Sequence, residues 1–261
     1  MTGAERLLAA FASQKPLVTY LTAGDPDLGR TAELIEAVHA GGAGILELGV
    51  PFSDPSADGP PLQRAAERAL ASGTRLVDVL ALARKAPLPT LLFGYLNPFL
   101  QYRSPADGAR GLVALARDAA EAGIAGVLVV DLPPEEAGPL LAALRTYGLA
   151  LIPLVTPVTP DERVRLAASN ADAFLYYVSV TGVTGGALGD DRAALERVAA
   201  VRELAQKPLV VGFGVRTPAD AARIGRVADG VVVGTALVAL AHETGDPEAV
   251  RAAVAALRAA F

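Results

Sequence analysis

The sequence predicts a (β/α)8 barrel, and three observations carry that expectation. Short apolar, β-branched runs alternate with longer alanine-rich segments of helical period along the whole chain. The runs number eight, and 261 residues is an ordinary length for eight such units. Each run is almost continuously apolar rather than alternating, as are strands of a parallel sheet covered on both faces. An open doubly wound sheet is the alternative, but the residues after the first run, LTAGDPDLG, lack the GxGxxG turn of that fold. No Pro/Gly/Ser-rich linker divides the chain, so residues 1–261 read as one domain.

The elements follow in order. MTGAERLLAAFASQK reads as a short amphipathic helix, with a polar, acidic start and neither a cationic n-region nor a long apolar stretch. Strands are expected at 17–22, 45–49, 90–95, 126–130, 150–155, 173–179, 209–212 and 230–234, and helices at 31–40, 62–71, 107–122, 135–147, 161–169 and 191–206. Several units repeat one local pattern, in which a helix closes on Gly or a small polar residue just before an apolar run (AGGAGILELG, EAGIAGVLVVDLP, RVADGVVVGTA). The apolar runs are strand-length, far short of the roughly 20 residues a membrane span needs. A cytoplasmic protein is expected.

Composition narrows the chemistry. With no Cys there is no disulfide, thiolate nucleophile or zinc-thiolate site, and two His leave little for a His-based metal centre. The net charge of −5, without a basic cluster, argues against nucleic acid as a partner. Lys15, Lys85 and Lys207 each lie shortly before an apolar run, at the end of the barrel opposite its mouth, which excludes a Schiff-base lysine. His39 and His242 fall in helical segments and read as surface or packing residues. No resident cofactor or metal is expected.

Active sites of such barrels lie at the C-terminal ends of the strands. There, Glu47 interrupts an otherwise apolar run, Ile45-Leu46-Glu47-Leu48-Gly49, and alternation puts it on the face opposite Leu46 and Leu48. Pointing into the mouth, it would be desolvated, its pKa raised, and able to pass a proton in both directions; the alternative is a structural carboxylate bonded to backbone or a hydroxyl. Asp58 in Ser56-Ala57-Asp58-Gly59-Pro60 is either a site carboxylate or the side chain of a turn. Asp25 and Asp54, each before a proline, read as turn or cap residues, and Asp131 as a site residue or a cap for the helix after it. Glycines gather in the late loops: Gly182, Gly185 and Gly186, then Gly212 and Gly214, then Gly234 with Thr235. Their backbone N–H groups suit a phosphate near the last strands.

Leu21-Thr22-Ala23-Gly24-Asp25-Pro26, the stretch ELGVPFSDP with Ala57-Asp58-Gly59-Pro60, then Val183-Thr184-Gly185 and Gly212-Phe213-Gly214 run in order over essentially the whole chain. In these the chain resembles the tryptophan synthase α-subunit family. The resemblance implies a lyase that cleaves indole-3-glycerol phosphate to indole and glyceraldehyde 3-phosphate in a retro-aldol reaction. It assigns acid/base work to Glu47 and the indole N–H to Asp58. It puts phosphate on Gly185, Gly214, Gly234 and Thr235, and the indole pocket on Tyr20, Phe93, Tyr176 and Phe213. Tyr20 and Phe93 differ from what some relatives carry, Thr235 stands where many have Ser, and Ser179-Val180-Thr181 replaces an Arg-Ala of some members. The family also pairs with a pyridoxal-phosphate β subunit, usually as α2β2, and loops 51–61 and 181–190 are long and turn-rich, as closing or partner-facing loops are. Another phosphate-binding barrel enzyme and a non-catalytic activator of a β subunit are the competing readings.

Overall fold

The computed structural model describes residues 1–12, 14–178, 192–212 and 214–261. Among them nine parallel strand segments form one sheet: β1 (Leu17–Thr22), β2 (Ile45–Gly49), β3 (Thr90–Gly94), β4 (Ile124–Val129), β5 (Ala150–Leu151), β6 (Leu154–Val155), β7 (Leu175–Val178), β8 (Leu209–Gly212) and β9 (Gly230–Val233). Their order is β5-β4-β3-β2-β1-β9-β8-β7-β6. The two outer segments are halves of the single run expected at 150–155. Pro153, with no N–H to give a ladder, divides that run. Ile152 N–H donates to Val127 O on the β4 side (3.0 Å), and Pro153 O accepts from Tyr176 N–H on the β7 side (3.0 Å). The split strand therefore joins both edges of the sheet, and the barrel closes as eight staves.

Two apolar layers hold the barrel. Leu17, Leu21, Leu46, Leu48, Leu92, Val211 and Val233 point outward into the shell of helices, while Val18, Ile45, Leu91, Leu128, Ile152, Phe174, Val210 and Val232 fill the lumen. The first helix (Gly3–Ala9) closes the lumen's N-terminal end. Its capping box is Thr2 with Glu5 (3.2 and 2.8 Å), and Arg6 donates to Gly123 O and Ile124 O (2.9 and 2.6 Å). Leu7 is fully buried among the lumen residues. Gly3 packs so tightly on β4 that a Cβ there would sit 1.8 Å from Ala125 O, so only glycine fits.

Two helices differ from expectation. The helix expected over 135–147 is a 3-10 turn (Pro134–Glu136) followed by an α-helix (Gly138–Thr146), because Pro139 can occupy only a helix's first turn. The helix expected over 107–122 begins at Gly111, since Gly108 and Gly111 both take left-handed backbone (φ 74° and 79°) and residues 101–110 form a loop. That loop is pinned by Arg117, which donates to Asp107, Asp118 and Ser104, and by Tyr102, whose hydroxyl donates to Asp118 (2.7 Å). Among the described residues no helix is long and apolar enough to cross a membrane.

Candidate active site

Glu47 sits in the middle of β2 with Ile45 below it in the lumen, and Leu46 and Leu48 turned outward, as the alternation of the run requires. It is 0% exposed, and among the described residues neither carboxyl oxygen has a hydrogen-bond partner. A bare carboxylate in that position would be severely desolvated, so burial pushes its pKa up from 4.5 to about 8 and the side chain is protonated at neutral pH. The structural reading of Glu47, with partners on backbone or a hydroxyl, has no support in these contacts. A neutral carboxyl with both oxygens unpaired inside the mouth is poised to exchange a proton with whatever fills it.

Asp58 approaches from the loop between β2 and the helix Pro60–Ala71. Backbone turns order that loop, with Ser56 N–H on Asp54 O (2.8 Å) and Asp58 N–H on Pro55 O (3.0 Å), and Gln63 Nε2 donates to Asp58 O (2.9 Å). The Asp58 carboxylate does not close a turn on its own backbone. Its Oδ2 accepts from the hydroxyl of Tyr95 (3.0 Å). Burial raises its pKa, and the Tyr95 hydrogen bond opposes that rise. The neighbouring loop carboxylates go elsewhere: Asp54 accepts from Ser53, Asp25 is held bidentately by Arg68 (2.7 and 2.8 Å), and Asp131 accepts from Leu96 N–H (2.8 Å). Asp131 thus caps the short helix Leu96–Leu100 after β3, not the helix of its own unit.

Aromatic rings line the lumen around these groups. Tyr20 lies opposite Glu47 in the β1–β2 register and meets Phe93 edge-on (centroids 5.1 Å apart, 75°). Glycines make room for two tyrosines. A Cβ on Gly49 would lie 2.2 Å from the Tyr20 hydroxyl, and one on Gly212 would lie 2.4 Å from that of Tyr176. Burial raises the pKa of both tyrosines, and the charge of Glu47 and of Asp58 acts on each in the same direction, so both hydroxyls stay protonated beside the carboxyl groups. Across the mouth, Gly214 takes φ 71° after β8, and Gly234 begins the helix Thr235–Thr244 directly after β9. The first N–H groups of that helix lack intrahelical acceptors and carry the positive end of its dipole.

The chain matches the family described as "Tryptophan synthase alpha chain" over residues 8–260. It is 50% identical over 232 residues to the tryptophan synthase alpha chain of Geobacter sulfurreducens (87% of this chain, 85% of that one). It is 48% identical over 250 residues to that of Alkalilimnicola ehrlichii (94% and 88%). The crystal structure of the Legionella pneumophila alpha chain superposes with a TM-score of 0.88 at 37% identity, covering 100% of this chain and 97% of that one. A chain of the aminoacrylate-bound tryptophan synthase of Mycobacterium tuberculosis superposes with a TM-score of 0.86 at 36% identity (98% of each chain). This chain belongs to the tryptophan synthase alpha chain family.

Family membership makes the chain a carbon–carbon lyase of tryptophan biosynthesis. Of the residues that the tryptophan synthase resemblance singles out, Glu47, Asp58, Tyr20, Phe93 and Tyr176 converge on the lumen mouth, with Gly214, Gly234 and Thr235 at the ends of the neighbouring strands β8 and β9. Phe213, Gly185 and the loop 181–190 lie outside the described residues. Lys15 and Lys207 donate to Gly225 O and Ala171 O (2.6 and 2.8 Å) at the far end of the barrel, and His39 and His242 are exposed. Sequence reasoning missed Tyr95. The pattern offered only its side: with Leu91 in the lumen, a period of two puts Phe93 and then Tyr95 on the same side at the strand's end, without indicating what the Tyr95 hydroxyl meets.

Proposed function

We propose that this chain, as one domain over residues 1–261, cleaves indole-3-glycerol phosphate to indole and glyceraldehyde 3-phosphate with Glu47 as its acid/base group. The observation that carries this reading is the buried, unpartnered carboxyl of Glu47, held neutral at the mouth. Protonated Glu47 gives its proton to indole C3, leaving the ring an electron sink with positive charge on nitrogen. The resulting carboxylate takes the proton of the side-chain hydroxyl, a carbonyl forms, and the pair of the breaking C–C bond returns to the ring. One proton is given and one taken, so Glu47 ends as it began. Asp58 holds the indole N–H and opposes the charge that develops there.

Tyr20, Phe93, Tyr176 and Phe213 form the walls for the ring. Gly185, Gly214, Gly234 and Thr235 receive the phosphate, supported by the helix start at Gly234 and Thr235. The chain works in the cytoplasm, carries no cofactor of its own, and passes indole to a pyridoxal-phosphate β subunit in an α2β2 assembly. Loops 51–61 and 181–190 close over the site; an absence of change in their hydrogen-exchange protection on adding a substrate analogue or the β subunit would refute that closure. The test of the reaction is indole release from indole-3-glycerol phosphate by wild type, Glu47→Gln and Asp58→Asn. Glu47→Gln is expected to abolish release, and substantial activity in that variant would overturn the assigned role.

A further inference from the structure

Tyr95 is 3% exposed, yet its hydroxyl makes two hydrogen bonds to consecutive residues of the loop after β2. It accepts from Ala57 N–H and donates to Asp58 Oδ2, each at 3.0 Å. Its ring lies against Phe52 at the start of the same loop (centroids 5.2 Å apart). One side chain at the end of β3 therefore grips both the entry and the tip of a loop that belongs to β2. Among the described residues Asp58 Oδ1 has no hydrogen-bond partner, so one carboxylate oxygen is fixed and the other is left for a donor in the mouth.

We propose that Tyr95 is a positioning residue, which fixes the Asp58 carboxylate through one oxygen and turns the other toward the substrate's N–H. This rests on the reading that Asp58 contacts the indole nitrogen. The arrangement has a reason in conformational entropy: Asp58 sits on a loop, and an aspartate there would otherwise sample several rotamers, each poorly aligned with a donor in the mouth. Tyr95 comes from the rigid barrel wall and supplies the missing constraint. A donated hydrogen bond also favours the ionised form of Asp58, which the charge on an indole nitrogen requires. The charged groups that face Tyr95 are Asp58 and Asp131, and Asp131 is already engaged by Leu96 N–H.

The test uses the full chain with its partner subunit and three variants: Tyr95→Phe, Asp58→Asn and the double variant. Tyr95→Phe keeps the ring and its packing on Phe52 and removes only the hydroxyl. The expected result is a loss of about 10- to 100-fold in kcat/KM in the wild-type background, as for one hydrogen bond to a charged group, and of at most about twofold in the Asp58→Asn background. In parallel, the Asp58 carboxyl, followed by 13C NMR in the isolated chain, should titrate at higher pH in Tyr95→Phe, moving the acidic limb of the kcat/KM profile up with it. An equal loss in both backgrounds, or an unmoved Asp58 titration, would overturn the proposal. Full activity in Asp58→Asn alone would instead remove the role of Asp58, and the titration would then decide whether Tyr95 sets its carboxyl.

Discussion

At the N-terminal end of the barrel, Asp172 and Asp229 hold equivalent places. Each accepts from an amide near the start of a strand (Leu151 N–H and Leu209 N–H, both 3.0 Å) and from an arginine of the helix before that strand (Arg145 at 3.0 Å, Arg202 at 2.6 Å). At the C-terminal end, among the described residues, Glu47 has no partner on either oxygen and Asp58 is held on one only. These two pairs of carboxyl groups are the same kind of residue and are treated in opposite ways. Where a carboxylate only secures the fold, its hydrogen-bonding capacity is filled. Capacity left open in a buried place carries a standing cost in desolvation, which is what the proposed contact with substrate would relieve.

That contrast can be broken by substitution. The largest expected effect is on Glu47→Gln, with indole formation reduced by about a thousandfold or more, as for a lost acid/base group. Its stability should move the other way. As pH rises from 4.5 toward 8 the unfolded chain sheds the Glu47 proton while the folded protein keeps it, so wild type loses stability over that interval and the glutamine variant does not. Denaturant unfolding should therefore show equal stabilities near pH 4.5 and Glu47→Gln ahead by several kcal/mol above pH 8; a variant less stable than wild type at pH 8 would contradict the unpartnered state of the carboxyl. Next comes Asp58→Asn, expected to slow indole formation by roughly 100-fold with little change in stability. Asp229→Ala should invert that pattern, costing about 1–2 kcal/mol in unfolding experiments while kcat/KM stays within about twofold. The smallest effect belongs to Arg163→Ala, whose bidentate partner Glu135 is, like it, about half exposed. Its stability should change by no more than about 0.5 kcal/mol, and less still in high salt.

The barrel was legible in the sequence because its strands are covered on both faces, which leaves continuous apolar runs with little ambiguity of type. Legibility failed where a single residue overrides a pattern. Pro153 divides a run that reads as one strand, and Pro139 delays the start of a helix whose expected span begins before it. Glu47 was visible for the converse reason, being a lone carboxylate in an apolar strand. Asp58 was not decided by its own surroundings, since Asp-Gly-Pro suits a turn as well as a site, and the partner that settles its contacts stands 37 positions later on another strand. Tyr95 was hidden because an aromatic residue at a strand's end reads as core, and its ring is indeed core; only the hydroxyl works, and period and composition say nothing about where a hydroxyl ends up.

The most direct measurement is the titration of Glu47 itself in the isolated chain, followed by 13C NMR of labelled glutamate carboxyls and assigned by the signal missing from Glu47→Gln. The expected midpoint is about 8, far from the surface glutamates, which leaves the group protonated and ready to give its proton at neutral pH. A midpoint near the ordinary 4.5 would mean that Glu47 is ionised and partnered in solution, and the assignment of the proton donor would fall with it.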